Sequence, residues 1–501
     1  MLGSTKHRKD RTVTMRMRRG MLPRYLSHAG LILSLLLLGI LGSEGAAPAH
    51  HVQAASSKIQ HIIFIMKENH TFDSYFGLFP NIGMYGTTTG KITTSGGVVQ
   101  SIDLRPASDN PPNFKHDWSA AHTDYNSGNM DKFNRGSSNP DCNVVAMPPK
   151  GYPCYIEAPK ENAAGMESLI PNYWQLAKYF VLNTNGFSSL MGSSFPNHLY
   201  TVAAAAGPNI NQSAIDNPRT KGFSWGCDAD PKTTVQLYQD YTSGTNPSFF
   251  PCFGCPKDFE TAQKVKCLPH LDTLADRLNE KKVSWKYYAP PPSDPAYTLS
   301  TLTSFWQFRQ PAYKDSMGTN HPNLISPNIV DWHAFDYDAS KTLPAFSWLV
   351  PPNDSTEHPG IQGGKQGAST CTGENWTIDR INAIEKGPNW DSSVIVVAWD
   401  DFGGFYDHIK PPMVDALGEG FRVPFLIISP YAHAKDIPGQ PHISQAQLEF
   451  SSVLKYAEET FGLRSLNGRD ANKSVKSIGD DIDTSITPLK PLLPLIPQKC
   501  P

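Results

Sequence analysis

Six short runs along the chain are almost wholly apolar: HIIFIM (61–66), YFVLN (179–183), VSWKYYA (283–289), AFSWLV (345–350), SVIVVAW (393–399) and VPFLIIS (423–429). They are rich in Val, Ile and aromatic residues and lack apolar–polar alternation. This pattern predicts strands buried on both faces. Between them lie stretches of helical periodicity: YWQLAKY (173–179), HLDTLADRLNEK (270–281), NWTIDRINAIEK (375–386) and QLEFSSVLKYAEETFG (447–462). Strands alternating with amphipathic helices predict an α/β fold around a mostly parallel central sheet flanked by helices. Residues 78–165 and 205–265 are polar and loop-rich. They read as cap insertions on one domain spanning 55–501, with no internal repeat.

In such folds ligands gather beyond the carboxyl ends of the strands. The first run empties into Glu68, Asn69 and His70. The second leads to GFSSLMGSSFPNHLY, carrying Ser193, Ser194, Asn197 and His198. Glu357 and His358 follow the fourth run, and Asp400, Asp401, Asp407 and His408 the fifth. Four strands thus deliver chemically capable side chains to one edge. Glu68, Asn69, Asp400 and Asp401 offer hard oxygen ligands, which suit Ca²⁺, Mg²⁺ or Mn²⁺ better than Zn²⁺. A serine beside such an ion is a candidate nucleophile. Nearby histidines can stabilise phosphoryl oxygens or protonate a leaving group. The set favours phosphoryl over acyl transfer, and no G-x-S-x-G elbow is present.

The amino-terminal pattern differs. Residues 1–24 hold eight basic residues against Asp10, and an apolar stretch, AGLILSLLLLGILG (29–42), precedes small residues. This reads as a secretory signal over 1–54. The alternative is an uncleaved anchor, for which the run is short. Arg18-Arg19 is a loose hint of twin-arginine export. Residues 55–501 keep 36 basic and 44 acidic side chains, a net charge of about −8 with histidines neutral. No stretch is basic enough to suggest nucleic-acid binding. All eight cysteines follow the signal, which suits disulfides in an oxidising compartment. Cys142 and Cys154 can close a short loop. Cys252, Cys255 and Cys267 read as disulfide partners, with a zinc site as the rival.

Together ENHTFDSYFG, MGSSFPNHLY, EHPG and WDDFGGFYDH resemble the bacterial phospholipase C and acid phosphatase family, the phosphoesterases. The resemblance runs from about Ile59 to about Arg464. It implies an alkaline-phosphatase-like fold, with Glu68, Asn69, Asp400 and Asp401 as metal ligands. Ser194 falls at the nucleophile position. His116, in FKHDW, and His358 fall where the family contacts phosphate, and His122 follows in the same segment. Departures are His70 and His198, where arginine is common, and Ser193 in place of a frequent proline, which leaves Ser193 and Ser194 as competing nucleophiles. The extra carboxy-terminal domains of the larger family members are expected to be absent. Asp407 and His408 are expected to support the loop, His442 to be structural, and Trp118, Tyr75 and Phe76 to pack.

The expectation is therefore a secreted, metal-dependent phosphoesterase of the phospholipase C type. Its substrate would be a phospholipid or small phosphate ester, met in transient contact with a membrane surface. An acid phosphatase using the same residues is the alternative, and an inactive surface-binding protein a third reading.

Overall fold

The computed structural model describes residues 58–135, 142, 152–157, 169–360, 367–492 and 494–500. The expected export signal over 1–54 lies outside them. Among the described residues no helix is long and apolar enough to cross a membrane.

All six predicted strands form and enter one eight-stranded sheet. In chain order its strands are β1 (His61–Lys67), β2 (Val181–Asn183), β3 (Trp285–Ala289), β4 (Ile329–Asp331), β5 (Phe346–Leu349), β6 (Ser393–Trp399), β7 (Phe425–Ile428) and β8 (Ile443–Ser444). The spatial order is β4-β3-β5-β1-β6-β7-β2-β8. Every neighbouring pair is parallel except the two that β7 makes, with β6 and with β2. The sheet is thus parallel apart from one inverted strand. β1 and β6 are buried along their whole length, as unbroken Ile/Val runs require. They pair in register from His61–Ser393 to Lys67–Trp399, so both end at the same level. Their continuations, Glu68-Asn69 and Asp400-Asp401, therefore emerge side by side.

The four predicted helices also form. They are α2 (Pro171–Tyr179), α4 (Leu274–Glu280), α5 (Thr370–Lys386) and α6 (Phe450–Phe461), with α1 (Phe72–Phe76) and α3 (Ser194–Ala203) beside the sheet edge. Thr273 and Asp276 form a capping box at the start of α4, and Gly462 ends α6 in the left-handed conformation. The described parts of 78–165 and 205–265 contribute a two-stranded ribbon (Thr89–Thr93 with Val99–Asp103), short helices and loops.

Every cysteine is in a disulfide: Cys142–Cys154, Cys227–Cys252, Cys255–Cys267 and Cys371–Cys500. The two cysteines of the C-x-x-C go to different bridges, so the zinc reading of that cluster falls.

Candidate active site

The site lies at the carboxyl ends of β1, β2, β5 and β6. The β1 and β6 continuations are tied together, with the Asn69 N–H donating to Asp400 Oδ1 at 2.9 Å and the Asp400 N–H to Lys67 O at 3.0 Å. Asn69 sits in the left-handed region (φ 59°), which asparagine tolerates better than most residues. Gly403 (φ 59°) packs against it, and a Cβ there would stand 2.5 Å from Asn69 O. The glycine is thus required by both its own conformation and its neighbour.

Ser194 is the first residue of α3, a ten-residue helix whose amino end favours an anion. Its Oγ donates to Asp401 Oδ2 at 3.1 Å. Ser193, the preceding residue, turns elsewhere and donates to Asp216 Oδ1 at 3.1 Å. Asn217, next to Asp216, accepts the Phe195 N–H at 2.7 Å and braces the same helix end.

Glu68, His198 and Asp400 each present a ligand atom, all within 4.8 Å of one another. His198 Nε2 meets Glu68 Oε1 at 2.9 Å and lies 3.7 Å from Asp400 Oδ2. Asp400 Oδ2 is buried without a hydrogen-bond partner. Burial, and repulsion from Asp401, push Asp400 up to about 7; burial pushes Asp401 up to about 7. Burial, reinforced by both aspartates, holds Glu68 well above the usual carboxylate range. Burial also lowers His198. Three desolvated carboxyls around an unmatched oxygen fit a divalent cation, whose charge would reverse these shifts.

The Asn69 amide bears on the same point. His116 Nδ1 is committed to Phe114 O (2.6 Å) and His358 Nδ1 to Pro359 O (2.8 Å). With Nδ1 committed, a lone pair on His116 Nε2 would accept from the Asn69 NH2, 3.0 Å away. That orientation points the amide oxygen at Glu68 and Asp400, an arrangement a cation would stabilise. The opposite orientation donates to Asp400 Oδ1 and Glu68 Oε2 at 3.1 Å each, and needs His116 Nε2 to carry a proton. In the first of these orientations Asn69 presents an oxygen beside those of Glu68 and Asp400.

His358 stands beside His116, with Nε2 3.5 Å from Asn69 Nδ2. Burial lowers its pKa to about 4. Behind it Glu357 is wholly buried and receives Lys67 Nζ (3.1 Å), Tyr75 Oη (2.8 Å), Tyr173 Oη (2.7 Å) and Trp399 Nε1 (3.1 Å). Glu357 also has a positive φ of 70°, an unfavourable conformation that these four contacts hold. It fixes the loop that carries His358 and does not itself reach the cleft.

The cleft has a volume of about 230 Å³, and Glu68, Ser194 and His358 lie on its wall with Asn217, Trp225 and the segment 295–299. The structure brings together Glu68, Asn69, Asp400, Asp401, Ser194, His116 and His358, all placed from sequence. His122 is set apart, bonded through Nδ1 to Trp118 O and tilted against the Trp118 ring. His70 is buried between Tyr75 and Phe405, an aromatic sandwich rather than a substrate contact. Asp407 and His408 join Asp73 and Arg422 in a buried ion network, and His442 bonds Phe180 O at 2.9 Å. Sequence reading missed the ligand potential of His198. The signal was its spacing, four residues after Ser194 on one helix, which places both on the same face. Asn217 and Trp225 come from a loop-rich insertion with no such signal.

The chain matches the profile of the Phosphoesterase family over residues 59–464. It belongs to that family. It is similar to phospholipase C A of Mycobacterium tuberculosis, 23% identical, covering 84% of this chain and 75% of that protein. It is also similar to the non-hemolytic phospholipase C of Pseudomonas aeruginosa, 23% identical over 84% of this chain and 56% of that protein. The non-specific phospholipase C1 of Arabidopsis thaliana is 24% identical over 60% of this chain and 48% of that protein. This phosphoesterase is therefore a hydrolase of phosphoric ester bonds.

Proposed function

We propose that this phosphoesterase is a metal-dependent enzyme of the phospholipase C type that works through a serine nucleophile. The observation that carries the reading is Ser194 Oγ, 3.1 Å from Asp401 Oδ2 and on the wall of the same cleft as Glu68 and His358. Glu68, Asn69, Asp400, Asp401 and His198 would hold a divalent cation, which supplies Lewis-acid stabilisation of oxyanions when bound.

The chain's own groups do the rest. Asp401 orients the Ser194 hydroxyl and receives its hydrogen as Oγ attacks phosphorus. The P–O bond to the alcohol breaks, giving a phosphorylated serine, and the departing alkoxide takes a proton from water in the cleft; Asp401 returns its proton to Ser194 Oγ when water later cleaves the phosphoserine. The amino end of α3 favours the negative charge of the bound phosphoryl group. His358, neutral and with its Nε2 lone pair free of the backbone, accepts a proton from a phosphoryl hydroxyl or from the water that later releases Ser194. Asn69 keeps His116 turned into the site.

The phospholipases C among its relatives support a phospholipid substrate, with the diacylglycerol side as leaving group. The small cleft also suits a phosphomonoester, which would make the enzyme a phosphatase using the same residues. Secretion is part of the proposal, supported by four disulfides and the basic-then-apolar amino terminus. The test is hydrolysis of phosphatidylcholine and of p-nitrophenyl phosphate by the mature protein, with and without a chelator. Activity on both that survives complete metal removal would defeat the metal-assisted mechanism. Activity on p-nitrophenyl phosphate alone would establish the phosphatase.

A further inference from the structure

The rim of the cleft carries a combination of side chains that catalysis does not use. The segment 217–225 begins and ends at the cleft, since Asn217 and Trp225 both line it. Between them the chain loops into solvent, exposing Arg219, Lys221 and Phe223, the last 46% exposed. A second exposed apolar pair, Leu324 (51%) and Ile325 (47%), lies on the ribbon formed with Arg309-Gln310.

Asp228 joins these pieces. It accepts the Ser224 hydroxyl, next to Phe223, and the Tyr297 hydroxyl at 2.8 Å from the segment that walls the cleft. It also accepts Arg309 Nε at 2.9 Å, and Arg309 in turn bonds Asn323, next to Leu324. The Cys227–Cys252 disulfide anchors the loop from behind. Phe223 and the Leu324-Ile325 pair are thus held on elements clamped to one carboxylate, which also holds Tyr297 of the segment walling the cleft.

We infer that this rim is a docking surface for a phospholipid bilayer with zwitterionic headgroups. The inference rests on the phospholipid reading of the cleft. A lipid can place its phosphate at Ser194 only if its chains stay beside the mouth. Apolar tips there replace water around that boundary, while Arg219 and Lys221 meet headgroup phosphates. Isolated exposed tips on a cleft rim suit shallow insertion rather than a flat protein interface, whose centre is contiguous and packed. The overall charge of about −8 for residues 55–501 selects against strongly anionic surfaces, leaving the zwitterionic bilayer as the match.

The experiment is co-sedimentation of the mature Ser194→Ala protein with phosphatidylcholine vesicles, so that turnover does not change the surface. It is repeated with Phe223→Ala and Leu324→Ala added. Losing both tips is expected to weaken partitioning by about ten-fold or more. With Ser194 intact, the same double variant should hydrolyse soluble p-nitrophenyl phosphate at the parent rate. Unchanged partitioning, no binding by the parent, or binding only to phosphatidylglycerol vesicles would overturn the inference. So would an equal loss on the soluble ester, which would make the rim part of the cleft. Parental turnover of p-nitrophenyl phosphate reports separately on the catalytic reading, so the two can fail independently.

Discussion

Lys67 Nζ and Glu357 Oε1 lie 3.1 Å apart, and neither side chain is exposed to solvent. The pair joins the last residue of β1, one step before Glu68, to the residue before His358. It thereby couples the metal-ligand side of the site to the histidine side. Lys67 also donates to Gly373 O at 3.1 Å, bringing in the first turn of α5. Removing one partner leaves a buried charge uncompensated. Glu357→Ala is therefore expected to lower stability by about 3–5 kcal/mol, measured by urea unfolding. Glu357→Gln should be milder, because it can still receive the Tyr75 and Tyr173 hydroxyls. A loss under about 1 kcal/mol for the alanine variant would show that Lys67 finds another partner.

The two adjacent serines separate by what they touch. Ser194 donates to Asp401 and Ser193 to Asp216. Ser194→Ala should reduce turnover of p-nitrophenyl phosphate by at least about a thousand-fold with the melting temperature little changed. Ser193→Ala should retain most activity, since its hydroxyl braces the Asp216 loop. Reversed phenotypes would move the nucleophile by one residue.

Most of the central architecture was legible because its strands are buried on both faces, and unbroken runs such as SVIVVAW say so directly. The site was legible for a related reason. An abrupt change from Ile and Val to Glu68-Asn69 or Asp400-Asp401 marks where a strand leaves the core. The inverted direction of β7 was not legible, since VPFLIIS is equally apolar read either way. Nor were β4 and β8, which have three and two residues, too few for a periodicity. The network of Asp73, Asp407, His408 and Arg422 joins positions up to 349 residues apart. Only the fold shows that Arg422 is the buried cation holding α1 against the Asp407 loop. Likewise Asp228 gives no sign in sequence of linking the cleft wall to an exposed ribbon.

The buried carboxyls set a pH signature for the metal-free protein. Asp400 and Asp401 rise to about 7 from an ordinary 3.8, so the folded state holds protons that the unfolded state has already released. Where the folded state binds more protons, stability falls as pH rises. The chelated protein should therefore lose melting temperature progressively from about pH 4 to about pH 7. A saturating divalent cation should flatten or reverse that slope, because it favours the ionised carboxylates. Melting curves at several pH values, with chelator and with Ca²⁺, Mg²⁺ or Mn²⁺, check both. A slope unaffected by any of these ions would argue against a cation at this centre.

His198 distinguishes a ligand from a packing residue. Its Nε2 approaches Glu68 and Asp400 at 2.9 and 3.7 Å. His198→Ala is expected to weaken divalent-ion binding by about 10–100-fold, read by titration calorimetry. If the histidine merely packs, the variant will bind the ion normally while its thermal stability drops.

The disulfides make the last prediction, because one of them reaches the wall of the site indirectly. Cys371–Cys500 spans 129 residues and pins the end of the chain to the first turn of α5. Other contacts fasten the same segment: Gln498 N to Asn375 Oδ1 at 2.7 Å, Asn382 Nδ2 to Leu495 O at 2.9 Å, and Leu492 N to Glu385 Oε1 at 3.0 Å. With these in place, the bridge acts chiefly by restricting the unfolded chain. Replacing Cys371 and Cys500 together by serine should cost about 2–4 kcal/mol of stability. Activity well below the lowered melting temperature should persist, since Lys67 still holds Gly373 and Glu357 still holds the His358 loop. Denatured, unreduced protein should show no reactive thiol, against eight after reduction. A double-serine variant that melts like the parent, or loses activity while remaining folded, would show that the bridge shapes the native site rather than the unfolded ensemble.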